Sequence, residues 1–191
     1  MRLILMGPPG AGKGTQAKVI ATHFTIPAIS TGDIFRANVA GRTELGVQAQ
    51  RYMDAGEYVP DEITNAMVRD RIGLPDAKSG FLLDGYPRTL AQVDELDDML
   101  GSYDYALDAV VSMTAAQDEL VGRLLQRAQI EGRADDTEDV IRRRQEVYEE
   151  QTAPLIRVYR DRDLLVEVDG MGEIDVVTHR IFSELEQLQT D

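Results

Sequence analysis

The chain has 191 residues, 43% of them hydrophobic and 28% charged, a formal net charge of −14 and no cysteine. That length supports one well-buried core, and the lack of cysteine excludes a disulfide frame, thiolate catalysis and a Cys-ligated zinc. Such an acidic chain suits neither nucleic acid nor an acidic membrane surface. With no apolar run of spanning length and too short an apolar stretch after Arg2 for a leader, a cytoplasmic protein is expected.

In chain order, Leu3 to Met6 predicts a first strand. The segment Gly7-Pro8-Pro9-Gly10-Ala11-Gly12-Lys13-Gly14-Thr15 follows it, and then a stretch in which Ala17, Val19, Ile20 and Phe24 share one side of a helix. Strand, glycine loop and helix supply the context that the phosphate-binding frame G-x-x-x-x-G-K requires. Glycines let successive N–H groups turn inward around phosphate oxygens. The helix adds its first N–H groups and the positive end of its dipole. Lys13 supplies a point charge for the terminal phosphates. The strict motif places Ser or Thr directly after the lysine; here Gly14 comes first and Thr15 second.

Further strands are predicted at Ala28 to Ile29, Phe81 to Leu83, Ala109 to Met113 and Leu164 to Val168, with helical patterns between them. Thr89-x-x-Gln92 and Thr114-x-x-Gln117 fit capping boxes, and Ser30-x-x-Asp33 fits the acidic variant. Thr137 to Asp163 reads as one long helix, with Glu138 and Asp139 in its first turn and a kink or interruption at Pro154. The alternation predicts a parallel sheet covered on both faces. Two stretches fit it poorly. Ser30 to Met67 is helical without a strand, and Gln126 to Asp136 is polar and contains glycine. Inserts of this kind suit a substrate clamp or a moving lid.

Phe81-Leu82-Leu83-Asp84 is an apolar strand ending in a carboxylate, the position from which P-loop proteins hold Mg²⁺. Mg²⁺ keeps several waters, so a contact from Asp84 through water suits a loop with Gly14 after its lysine. Gly85-Tyr86-Pro87-Arg88 turns the chain abruptly and sets an arginine at the strand's carboxyl end, where open α/β sheets bind ligands. Arg36, Arg88, Arg123, Arg127, Arg133 and Arg144 lie beside glycines or at helix ends. Phosphoryl transfer needs such charge, because the migrating group spreads negative charge over its oxygens. No Ser-His-Asp set is evident, and the two histidines, His23 and His179, sit in helical stretches.

Over essentially its whole length the sequence resembles the adenylate kinases. The carriers are GPPGAGKGTQA from Gly7, ISTGD from Ile29, DAGEYVPDEIT from Asp54 and FLLDGYPRT from Phe81, extended by GRADD from Gly132 and TAPLI from Thr152. Thr31 and Gln92 favour the adenylate branch, since UMP/CMP-type relatives usually carry Ala and Asn there. The resemblance implies ATP + AMP ⇌ 2 ADP with Mg²⁺, catalysed by a monomer whose partners are ATP, AMP and ADP, with no nucleic acid and no membrane; no zinc is expected, since Gln126 to Asp136 contains neither Cys nor His. It implies an α/β fold: a single P-loop kinase domain over residues 1–191, with a five-stranded parallel sheet, a helical AMP-binding arm over 30–59 and a short lid over 126–136. Gly10, Ala11, Gly12, Lys13, Gly14 and Thr15 would cradle the ATP phosphates, Gly172 would offer backbone to the ATP adenine, and Asp84 would meet Mg²⁺ through water. Thr31, Arg36, Glu57, Tyr58 and Val59 would form one side of the AMP site. Gly85, Tyr86, Pro87, Arg88 and Gln92 would form the other. Arg123, Arg127, Arg133 and Arg144 would close over the transferring phosphate, Arg127 also meeting ATP and Arg133 and Arg144 also meeting AMP.

The departure from the family lies in the lid. Many bacterial relatives insert a longer β-rich lid between the positions of Arg127 and Arg133, where here only Ala128 to Gly132 intervene. A kinase for another nucleoside monophosphate is disfavoured by Thr31 and Gln92. A GTPase-type switch is disfavoured because no N-K-x-D run is present.

Overall fold

The computed structural model describes residues 1–133 and 137–188. Its elements are β1 (Arg2–Met6), α1 (Lys13–Phe24), β2 (Ala28–Ser30), α2 (Thr31–Ala40), α3 (Glu44–Ala55), α4 (Asp61–Ile72), β3 (Phe81–Asp84), α5 (Leu90–Ser102), β4 (Ala109–Thr114), α6 (Gln117–Glu131), α7 (Glu138–Val147), α8 (Leu155–Asp161), β5 (Leu165–Asp169) and α9 (Ile174–Gln187). All neighbouring strands are parallel, in the order β2-β3-β1-β4-β5. This is the expected five-stranded α/β sheet with helices on its faces.

The alternation of strand side chains divides the core. Leu3 and Leu5 of β1 join Leu82 and Val111 on one face, against Ile20 of α1 and Ile181 of α9. Ile4 and Met6 join Leu83 and Val110 on the other, against Val68 of α4, Leu96 of α5 and Tyr159 of α8. Each central strand is therefore apolar on both sides, as a sheet covered twice requires. A smaller cluster of Phe35, Ala49 and Val59 holds the α2–α3 excursion together.

Register sets the site. Leu5 pairs with Asp84 and Ser30 also pairs with Asp84, so the carboxyl ends of β1, β2 and β3 lie side by side. After β1 the chain turns towards β2, and after β3 it crosses to β4. The crevice between β1 and β3 is thus a topological switch point, the ordinary ligand position in an open α/β sheet.

Three local expectations are refined. Ser30 caps α2 by accepting from the Asp33 N–H at 3.3 Å, and Thr89 caps α5 by accepting from the Gln92 N–H at 3.1 Å. Thr114 does not cap α6. Its pairing with Asp169 keeps it in β4, and Ala116 takes the cap position. The long helix from Thr137 is divided. After α7 a π-turn runs over Tyr148–Thr152, and Pro154 precedes α8, where its missing N–H costs no helical hydrogen bond. The polar stretch from Gln126 is helical as far as Glu131, so the connection to α7 begins at Gly132. Ala134, Asp135 and Asp136, the end of the expected lid, lie outside the described residues.

Candidate active site

The loop after β1 is shaped by its glycines. Gly7 has φ 141°, and a Cβ there would stand 2.5 Å from the Met113 carbonyl oxygen. Gly12 closes the loop in a left-handed conformation and Lys13 opens α1. The Lys13 ammonium turns back on its own loop, donating to Gly7 O at 2.7 Å and Pro8 O at 2.9 Å. Burial pushes this ammonium down to about 8; Arg88 and Arg127 push the same way, and Asp84 opposes them. The Gln145 Nε2 of α7 donates to Pro9 O at 2.9 Å, tying α7 to the loop.

Gly85 follows β3 with φ 81°, and a Cβ there would meet Arg88 Nη2 at 2.7 Å and Thr31 Oγ1 at 2.8 Å. The bare backbone lets both side chains converge. Thr31 Oγ1 donates to Gly85 O at 2.9 Å, and Arg88 Nε donates to the same oxygen at 2.8 Å. The Arg88 guanidinium stands over the Tyr58 ring, 4.8 Å from its centre. The Thr152 hydroxyl donates to Arg88 O at 2.9 Å, so the Tyr58 hydroxyl is the donor in its 2.7 Å contact with Thr152. The π-turn thus presents Thr152 to the backbone of Arg88.

These groups open onto one cleft of about 630 Å³. Lys13, Lys18 and six arginines stand on its wall, against four acids among the described residues, Asp33, Glu57, Asp84 and Glu131. Arg36 pairs with Asp33 at 2.6 Å, Arg123 with Glu119 at 3.5 Å and Arg133 with Glu131 at 2.6 Å. Burial opposes ionisation of Asp33, but the hydrogen bond and charge of Arg36, with Arg133 and Lys18, hold its carboxyl below the usual range. Arg127 and Arg144 complete the ring of cations. Glu57 binds Arg143 at 2.7 Å, and Arg143 also reaches Glu146, contacts that raise its pKa.

Most of the anticipated residues share this wall; three do not. Ala11 is buried beneath the loop, its N–H donating to Pro8 O at 3.2 Å. Tyr86, expected in the AMP site, has its ring in the core under α5. Its hydroxyl donates to Asn65 Oδ1 at 2.8 Å, and burial first, then nearby acids, raise its pKa. Gly172 lies in the turn between β5 and α9, with φ 116° and open space around it. The Thr15 N–H is engaged by Gly12 O at 3.1 Å. Gln92 is 1% exposed at the cleft floor, and its side chain makes two hydrogen bonds with protein groups: Arg88 N–H to its Oε1 at 2.7 Å, and its Nε2 to Asp61 Oδ1 at 2.6 Å. Gln145, Thr152, Tyr148, Lys18 and Asp61 were not anticipated. TAPLI marked the neighbourhood of Thr152 and DAGEYVPDEIT that of Asp61, but nothing local marked the others.

Among the described residues no group of three or more His, Cys, Asp or Glu side chains is placed to hold a metal ion, and no helix is long and apolar enough to cross a membrane. A parallel sheet whose glycine loop opens α1 above a cation-lined cleft is the architecture of a P-loop phosphotransferase. The family model described as adenylate kinase matches residues 5–164. The adenylate kinase of Nocardioides sp. is 74% identical over 186 residues, 97% of each chain. That of Kocuria rhizophila is 61% identical over 97% of this chain and 99% of its own, and that of Thermobifida fusca is 56% identical over 97% and 98%. The chain belongs to the adenylate kinase family.

Proposed function

We propose the following division of labour for the family reaction, ATP + AMP ⇌ 2 ADP, by which this enzyme balances the adenine nucleotides. The phosphates of ATP lie on the loop from Gly10 to Thr15, where the N–H groups of Lys13 and Gly14 open α1 with no intrahelical acceptor. Lys13 leaves the carbonyls of Gly7 and Pro8 for the terminal phosphates. Gly172 offers backbone to the ATP adenine. Arg36 and Arg88 grip the AMP phosphate, with Thr31, Val59 and Gln92 around its base and Tyr58 steadying Arg88. An ionised oxygen of the AMP phosphate attacks the γ-phosphorus. The bond from that phosphorus to the bridging oxygen breaks, and the oxygen leaves on ADP. No proton has to move, so no general base is needed. Arg123, Arg127, Arg133 and Arg144 stabilise the charge that spreads over the transferring group.

Asp84 suits Mg²⁺. It is a single carboxylate at the strand end on the cleft wall. Mg²⁺ takes one or two carboxylates beside substrate phosphates and keeps its waters. Bound there, the ion would neutralise charge on the phosphates. Residues 30–59 act as the AMP-binding arm and the stretch from Gln126 to Asp136 as the lid, in a cytoplasmic monomer.

One observation carries this reading. Eight cations gather on one cleft in a chain whose net charge is −14, which meets the need for local positive charge around a polyanionic ligand. A coupled assay with ATP and each nucleoside monophosphate in turn tests it. AMP should be strongly preferred, because a site that hydrogen-bonds one base leaves buried groups unpaired with another. Equal turnover of UMP or CMP would overturn the assignment of the acceptor site.

A further inference from the structure

Gln92 owes its orientation to its neighbours. A backbone N–H can only donate, so the Arg88 N–H, 2.7 Å away, must face the Gln92 oxygen. A carboxylate can only accept, so Asp61 Oδ1, 2.6 Å away, must face the Gln92 nitrogen. Asp61 is itself held. Its Oδ2 accepts from the Thr89 hydroxyl at 2.9 Å, and it is the first residue of α4. The Gln92 backbone N–H donates to Thr89 Oγ1 at 3.1 Å, which ties the residue to the same threonine that holds Asp61. A free carboxamide flips readily between two arrangements that differ only in where oxygen and nitrogen lie. This one is clamped at both ends.

The clamp leaves Gln92 one unused N–H and one unused oxygen lone pair, at fixed positions on the cleft floor. A 6-aminopurine presents the matching edge: a ring-nitrogen acceptor at N1 and an amino donor at C6. A 6-oxopurine presents the reverse, a donor at N1 and an acceptor at C6. A flipped carboxamide would match the second edge as well as the present one matches the first. We infer that Asp61, together with the Arg88 N–H, sets the purine specificity of the acceptor site by locking the Gln92 carboxamide in the orientation that accepts 6-amino and rejects 6-oxo purine monophosphates. Asp61 is a positioning residue acting through Gln92, and the inference rests on Gln92 reading the base of the acceptor nucleotide.

The test is the ratio of kcat/KM for AMP to that for IMP. Removing one hydrogen bond of the lock is worth roughly fivefold to tenfold in such a ratio. Asp61→Ala should lower the ratio by that amount, raising KM for AMP while KM for ATP holds. Asp61→Asn keeps the shape but can either accept or donate; it should lower the ratio less, and it stands in if the alanine variant folds poorly. Glu62→Ala, one position along the same helix turn and exposed, should leave the ratio unchanged. A purely structural role for Asp61 would change stability and both KM values without moving the ratio. An unchanged ratio in Asp61→Ala and Asp61→Asn overturns the lock, provided that Gln92→Ala collapses it. An unchanged ratio in Gln92→Ala means instead that Gln92 does not read the base, and the acceptor-site reading falls with it.

Discussion

Replacing Lys13 with methionine should make the folded protein more stable at neutral pH while removing its activity. The ammonium titrates near 8 in place of its ordinary 10.5, chiefly because it is buried. Below pH 8 it is charged in both states, and the folded protein bears a penalty of about 3 kcal/mol on the charged form. Between pH 8 and 10.5 the folded protein binds fewer protons than the unfolded chain, so stability rises with pH there, by at most about 1.4 kcal/mol per pH unit. Methionine has similar length and no charge, and so removes this dependence. Its advantage at pH 7 is reduced by the lost hydrogen bonds to Gly7 O and Pro8 O, each worth about 1 kcal/mol. The difference between the two proteins should shift by about 2–3 kcal/mol towards the wild type from pH 7 to pH 10.5. Urea unfolding of both proteins across that range measures it, and subtraction cancels every other titrating group. A difference that stays flat with pH would refute the argument that the site holds its lysine at an electrostatic cost. Turnover of the variant should fall roughly 10²–10³-fold, as on loss of a strong transition-state donor. Near-normal turnover would remove Lys13 from the reaction.

Gly85→Ala should raise KM for AMP at least tenfold with little effect on KM for ATP. Its Cβ would stand 2.7 Å from Arg88 Nη2 and 2.8 Å from Thr31 Oγ1, and the left-handed backbone adds roughly 1–2 kcal/mol of strain; steady-state kinetics with each nucleotide varied checks the split. Arg133→Ala and Arg144→Ala should cut turnover far more than they cut Tm, since the Arg133–Glu131 pair joins residues only two apart at the end of α6 and is worth little to the fold; calorimetry beside the coupled assay decides. Metal analysis should find no stoichiometric zinc, because a structural site needs about four Cys or His ligands and the residues from Gln126 to Asp136 contain neither.

What could be read from the sequence is what neighbours along the chain decide. The phosphate loop was legible because its glycines, its lysine and the flanking strand and helix are contiguous. The parallel sheet was legible from apolar runs separated by helical spacing, and the Ser30 and Thr89 caps from pairs three residues apart. Thr114 was misread as a cap because the same Thr-x-x-Gln spacing can sit at the end of a strand, and only pairing with Asp169 decides between them. The rest depends on distant segments. Gln145 reaches Pro9 across 136 positions, Thr152 reaches Arg88 across 64, and Gln92 reaches Asp61 across 31. No local pattern encodes such contacts, because each partner alone reads as an ordinary helix or turn residue. The sequence by itself determined that a glycine loop with a lysine joins the first strand to a helix, and which arginines are available around it. Only the folded sheet decided that those arginines face one cleft, that Tyr86 supports the floor instead of lining it, and that Asp61 orients Gln92, because parallel pairing of β1 with β3 brings Gly7 and Asp84 to the same edge and carries everything attached to them into reach.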